Sequence, residues 1–346
     1  MKSFKDLSWN VSEETYREDP AISYSTLAKF ERGGFESLPT LFDKVETPSL
    51  TFGSVVDTLV TGSDEEFNER FVVEDLPKIS DSMIEIVTLL HSRYGEIIND
   101  FDNIDDDILS AAGVECNYYA NPKYEATRIK NIKNDCREYY NKLCSANGKT
   151  IITAETLVDA KNCVSALYNS EATNDYFNIR NKSAVEALYQ LKFKSEYEGL
   201  PIRCMADLII VSNTNKVIYP CDLKTSSKPE YMFYKSFVQW RYDIQAQLYW
   251  YIIRSVMDKD EVFKDYTLAN YRFIVVNRNT LNPLVWEYPD TQCTHDLQYG
   301  KNGEYTYRNW RSILKELYYY LNTDNVKVPV GIHQREVNNI VEWLNK

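Results

Sequence analysis

The 346-residue chain has no Cys-x-x-Cys pair, no apolar run that approaches a membrane span, no internal repeat and no low-complexity tract. Its seven cysteines (116, 136, 144, 163, 204, 221 and 293) are scattered and odd in number. That pattern excludes a zinc ribbon and reads as reduced thiols in a cytoplasmic compartment. The opening residues MKSFKDLSWN lack the apolar core of a secretory signal, so neither export nor a membrane location is expected. An excess of positive charge is also missing: 39 Lys and Arg face 51 Asp and Glu, for a net charge of −12. A protein that coats nucleic acid nonspecifically is therefore excluded. His91 and His333 stand isolated and read as surface or core residues rather than ligands.

What is present is ordinary for a soluble chain, with 44% hydrophobic and 26% charged residues, apart from 27 tyrosines. The informative stretch is 202–251. Alternation over 201–211 and 217–223 predicts two strands, joined by a turn at Asn213, Thr214 and Asn215. Asp207 ends the first apolar run, and Asp222-Leu223-Lys224 ends the second. Side chains two apart on a strand share a face, so Asp222 and Lys224 point one way. By the same rule Arg203, Met205 and Asp207 are expected on one face of the neighbouring strand. Hairpin pairing can then bring Asp207 beside Asp222. Two carboxylates at close range repel unless a cation lies between them, and hard oxygen donors suit Mg²⁺ or Mn²⁺. A lysine there can steer a water or stabilise phosphate charge. Gln245 and Tyr249, one helical turn apart, can both face the cluster. Without the metal, the same trio is a common ladder of opposite surface charges.

In order and spacing, these residues resemble the core of the PD-(D/E)XK nuclease superfamily, in the branch with RecB-type nuclease domains and exonuclease VIII. The resemblance rests on the strand Asp207, the Asp222-Leu223-Lys224 motif continued by Thr225, and the phrase Tyr242-Asp243-Ile244-Gln245-Ala246-Gln247-Leu248-Tyr249. Weaker echoes are Ser23-x-Ser25-x-Leu27 and Arg70-Phe71-Val72-Val73. It covers roughly 20–80 and 155–280 and implies an α/β fold: a small mixed sheet flanked by helices, within a single nuclease domain over 1–346. That domain divides into a mostly helical 1–180, a catalytic core at 181–280 and a helical 281–346.

The resemblance implies a Mg²⁺- or Mn²⁺-dependent deoxyribonuclease. Asp207, Asp222 and the Leu223 carbonyl would hold metal, Lys224 would position the attacking water, and Gln245 and Tyr249 would hold the DNA backbone or the lysine. It favours an exonuclease on double-stranded DNA ends in recombination, often phage-encoded, with a strand-annealing partner and in some relatives a ring oligomer. The alternatives are a catalytically inactive nuclease-fold module of a replication or packaging complex, or a flap or nicking endonuclease. The acidic balance does not oppose this, because a local channel and bound cations can offset the overall field; it predicts weak, salt-sensitive DNA binding without metal. Where relatives read Gly-x-x-x-His, with histidine a metal ligand, this chain has Gly53 followed by Asp57, which is either an oxygen ligand in its place or a helix-face aspartate. Glu186 matches an acidic position with a supporting role, and Arg203 and Lys192 are candidates for phosphate contact. Only Cys293 follows the core, so no iron–sulfur cluster is expected.

The remaining patterns predict an extended polar arm over 1–20 and a helix over 22–30 capped by Ser23 or Ser25. Helices follow at 83–90, 126–143 and 154–167. Strands are expected at 184–194 and 271–276, one long helix at 233–253, and helices at 307–321 and 334–344. The acidic run 100–107 reads as a solvated loop.

Overall fold

The computed structural model describes residues 2–43, 45, 47–179, 184–299 and 305–322. The chain forms two compact units, one of Met1–Pro48 with Asn162–Lys346 and one of Ser49–Lys161. The predicted helix at 334–344 and His333 lie outside the described residues. Among the described residues, no helix is long and apolar enough to cross a membrane.

The first unit is a mixed α/β structure. Its sheet runs Val185–Tyr197, Leu200–Ser212, Val217–Ser226, Arg272–Asn277 and Pro283–Glu287, with the short Thr267–Leu268 strand beside the third. The first three strands are antiparallel neighbours. Glu198 and Gly199, both with positive φ, make the first tight turn, as a two-residue hairpin loop requires. The third strand then pairs in parallel with Arg272–Asn277, which needs a crossover, and the intervening chain supplies it as helices. That crossover breaks at Arg241, giving Phe233–Trp240 and Tyr242–Met257 instead of the single long helix expected. Arg241 is left-handed (φ 57°) because its buried guanidinium is fixed on both sides. It pairs with Asp243 through two contacts of 3.0 Å, with Glu31 at 2.7 Å, and donates to the Arg308 carbonyl at 2.7 Å.

The Tyr242–Met257 helix lays Ile244, Leu248, Ile252, Ile253 and Met257, each inaccessible to water, on one face of the sheet. Burying one such side chain is worth about 1.5–3 kcal/mol. That core also takes in Phe4, which packs edge-on to Phe263 at 5.1 Å. The N-terminal 20 residues are accordingly not an extended arm. They hold a 3-10 turn at Phe4–Leu7 and the helix Glu13–Glu18. Ser23 occupies the N-cap position of Tyr24–Gly33, with its hydroxyl turned to those of Ser25 and Thr26 rather than to the backbone.

The strand alternation slips by one residue in the middle of the sheet. Ala206 and Ile209 both belong to the core under the helix, as does Leu191, with Leu188 packed against it. Residues three apart cannot share a face in a regular strand. The ladder runs from Tyr189–Leu208 to Leu191–Ala206, and Gln190 and Asp207 fall between them. Gln190 has φ 52°, a left-handed value that costs a non-glycine residue about 1–3 kcal/mol. Beyond the slip, Asp207 is in phase with Ile209 and Val211 on the core face, whereas Arg203 and Met205 have the opposite phase.

The second unit packs the helices Asp81–Tyr94, Asp106–Glu115 and Glu125–Ser145 around Met83, Ile86, Leu90, Phe101, Leu109, Ile132 and Tyr140. A short parallel pair, Phe71–Val73 with Thr150–Ile152, was not expected from sequence. The acidic run 100–107 is part of the frame: Asp100 caps a 3-10 turn at Phe101–Asn103, and Asp106 begins a helix. Acidic residues at a helix start are favoured by the helix dipole.

Candidate active site

Asp207 and Asp222 meet where the second and third strands part. The last pair of that ladder is Leu208–Cys221, so Asp207 and Asp222 occupy the next step. There the ladder gives way, and the Leu223 amide donates to Asp207 Oδ2 at 2.9 Å. The third strand has by then taken Arg272–Asn277 as its partner, with Asp222 opposite Phe273 and Lys224 opposite Val275. Phe273 and Val275 belong to the core under the helix, so Asp222 and Lys224 project to that same side.

Asp222 is 2% exposed. Burying a carboxylate costs several kcal/mol unless its oxygens are occupied. One oxygen accepts a hydrogen bond from Gln245 Nε2. The other lies 2.5 Å from Lys224 Nζ, an ionic contact without the alignment of a directed hydrogen bond. The lysine also sits over the Tyr242 ring, 5.0 Å from its centroid. Burial pulls the Lys224 pKa down, but Asp222, Tyr242, Asp207 and Tyr24 outweigh it, and the net shift is upward. Lys224 is therefore a cation at neutral pH. Tyr249, 8% exposed, has its hydroxyl held far above its ordinary pKa, first by burial and then by neighbours that include Asp222 and Asp207. It remains a neutral hydroxyl.

The structure thus brings together Asp207, Asp222, Leu223, Lys224, Gln245 and Tyr249. The Leu223 amide is the group that holds Asp207. Arg203 and Glu186 have partners outside this cluster. Arg203 is buried and donates to the carbonyls of Tyr16, Asp19 and Arg17, with its guanidinium 4.8 Å from the Tyr16 ring. It closes the end of the Glu13–Glu18 helix. Glu186 accepts from Ser3 Oγ at 3.0 Å and Asn213 Nδ2 at 3.4 Å. It pairs with Val211, four residues from Asp207, which is about 13 Å along a strand. Lys192 pairs with Met205, and its backbone holds Ser8 and Trp9. Asp57 is half-buried on the helix Pro48–Thr61, within the second unit. Among the described residues, no three His, Cys, Asp or Glu side chains gather to hold a metal ion.

Sequence reasoning missed Gln190, opposite Asp207 across the strands; its left-handed backbone has no marker such as glycine. In the segment that follows the Lys224 strand, Tyr231, Tyr234 and Trp240 are exposed, Arg32 lies over the Trp240 ring at 5.3 Å, and Lys228 donates to Gln239 at 3.0 Å. The Trp240 carbonyl accepts from the Tyr24 hydroxyl at 2.7 Å, and the Tyr24 ring neighbours that of Tyr242, on which the lysine rests.

No protein-family model matches the chain, and no curated protein matches it. Among solved structures, it is similar to a candidate exonuclease from Eubacterium rectale. The identity is 13%, the match covers 84% of this chain and 80% of that one, and the TM-score is 0.40.

Proposed function

We propose that this chain is a divalent-metal-dependent deoxyribonuclease of the PD-(D/E)XK type, acting on the ends of double-stranded DNA. The observation that carries the reading is a buried carboxylate, Asp222, braced by Gln245 and ion-paired with Lys224, at the same strand step as Asp207. The donor set suits a hard cation: two carboxylates supply oxygen, and Asp222 Oδ2 is buried without a directed hydrogen bond. Mg²⁺ or Mn²⁺ held there would supply Lewis-acid charge for phosphoryl oxygens and a more acidic water. The protein's own groups do the rest. Gln245 fixes the plane of the Asp222 carboxylate. Lys224 presents a permanent positive charge where a phosphoryl group gains negative charge, the contribution of a preorganised electrostatic site. Tyr249 offers a neutral hydroxyl as donor. The exposed Tyr231, Tyr234 and Trp240, with Arg32, Lys228 and Lys235 beside them, suit a backbone that carries both phosphates and ring faces.

Linear duplex labelled at one end and a closed circular duplex, each incubated with Mg²⁺ and with a chelator, test this reading. The expected result is Mg²⁺-dependent loss of label from the linear DNA with the circle intact. Cutting of the circle would make the chain an endonuclease, and no cleavage of either DNA would refute the nuclease reading.

A further inference from the structure

Tyr271 immediately precedes the Arg272–Asn277 strand and is completely buried. Its amide donates to Thr291 Oγ1 at 3.1 Å, and its ring packs edge-on against Tyr249 with centroids 5.9 Å apart. Its hydroxyl has no hydrogen-bond partner among the described residues. A buried hydroxyl without a partner costs about 1–3 kcal/mol, and phenylalanine would fill the same space without that cost. Two other buried atoms in the site share the condition. Gln245 Oε1 is unpartnered, and Asp222 Oδ2 has an ionic neighbour but no directed hydrogen bond. Gln245 touches Asp222 through its amide nitrogen, so its unpartnered oxygen lies beside that carboxylate, and the Tyr271 ring packs against Tyr249, one turn along the same helix. Burial holds the Tyr271 hydroxyl well above its ordinary pKa, and among its neighbours Asp222 acts on it most, then Tyr249 and Asp207. The hydroxyl is therefore a neutral donor, buried and without a partner among the described residues.

We propose that Tyr271 is a positioning residue of the carboxylate site, its hydroxyl donating to a hydration water of the divalent ion held by Asp207 and Asp222. This rests on the metal-dependent reading above. One donor, Tyr271 Oη, and two acceptors, Gln245 Oε1 and Asp222 Oδ2, are the complement that one ordered water needs, since a buried water takes two to four polar partners. Mg²⁺ sheds its waters reluctantly and keeps several when a site offers few protein oxygens. The tyrosine holds no metal. It orients the solvent through which the ion is held, as outer partners of metal sites do.

The variant Tyr271→Phe removes one oxygen and keeps the ring. The full-length wild type and variant are titrated calorimetrically with MgCl₂ and with MnCl₂ alone, and thermal unfolding is recorded with and without the ion. The expected result is a metal-free variant at least as stable as wild type, with ion affinity about tenfold weaker, at the lower end of the 10–100-fold seen for such partners. The ion should also raise its unfolding temperature less than that of wild type. Equal ion affinity in the two proteins would overturn the role of Tyr271 and leave the divalent-ion reading standing. A metal-free variant less stable than wild type would give the hydroxyl a purely structural partner and also overturn it. A wild type that binds neither ion would overturn both.

Discussion

The Asp207 carboxylate accepts the backbone amide of Leu223 at 2.9 Å, and this one contact explains how the site is assembled. Where two antiparallel strands separate, the amides on the departing edge lose their partners, and an unpaired buried amide is costly. Here an acidic side chain takes the place of the missing strand. Asp207 is thereby fixed against the backbone between Asp222 and Lys224, with Leu223 as the link.

The first prediction separates binding from turnover at Lys224. Its ammonium competes with any cation for Asp222 Oδ2, at 2.5 Å. Lys224→Met should leave Mg²⁺ affinity unchanged or tighter while turnover falls by about 10²–10³-fold, as on removal of one electrostatic donor. Calorimetry and a digestion assay on the same preparation check it. A variant with wild-type turnover would remove the lysine from the reaction.

The pH dependence follows from the sign of the lysine's shift. Its folded pKa is raised by Asp222 against the pull of burial. A raised cation stabilises the fold fully below the unfolded pKa of about 10.4 and loses that contribution as pH climbs through the folded value. The difference in unfolding temperature between wild type and Lys224→Met should thus stay level from pH 7 to about 10 and shrink only above it. A difference that disappears near neutrality would contradict the assignment.

Asp222→Asn should abolish divalent-ion binding and leave Lys224 without its counter-charge. Removing one member of a buried pair costs about 3–5 kcal/mol, and the lysine's side chain is 20% exposed, so the lower end is expected. Urea unfolding gives the stability loss, and titration with Mn²⁺ gives the binding.

Much of this site was legible in the sequence. Alternation, the Asn213-Thr214-Asn215 turn and the Asp-x-Lys spacing were enough to pair Asp207 with Asp222 and to set Asp222 and Lys224 on one face. What escaped was fixed by contacts distant in sequence. Gln190 takes a left-handed backbone inside a strand with no glycine to announce it. The helix break at Arg241 is held by Glu31 and the Arg308 carbonyl, which no local pattern includes. Arg203 looks like a phosphate ligand in a strand, yet it serves carbonyls at Tyr16, Arg17 and Asp19, in a segment whose polar composition reads as an unstructured arm.

Arg203→Ala should consequently lower stability by about 2 kcal/mol or more, the scale of hydrogen bonds made by a charged group. The KM for DNA should not move. A raised KM with unchanged stability, measured by thermal unfolding beside initial rates, would restore the arginine as a substrate contact.

At Arg241, two variants distinguish backbone strain from lost ion pairing. Arg241→Ala should cost about 3–5 kcal/mol, because Asp243 loses its counter-charge and Glu31 keeps only Arg308. Arg241→Gly should cost about 1 kcal/mol less, since glycine accepts the φ of 57° without strain. Urea denaturation of both variants checks the order.

Asp207 and Asp222 should make DNA hydrolysis depend on a divalent ion. Release of acid-soluble nucleotides from linear duplex DNA, measured against Mg²⁺ concentration for wild type, Asp207→Asn and Asp222→Asn, decides it. The predicted result is a saturable Mg²⁺ dependence in wild type and no release by either variant at any Mg²⁺ concentration, with both variants folded by circular dichroism. Release by either folded variant at the wild-type rate, or release by wild type in a chelator, would contradict it.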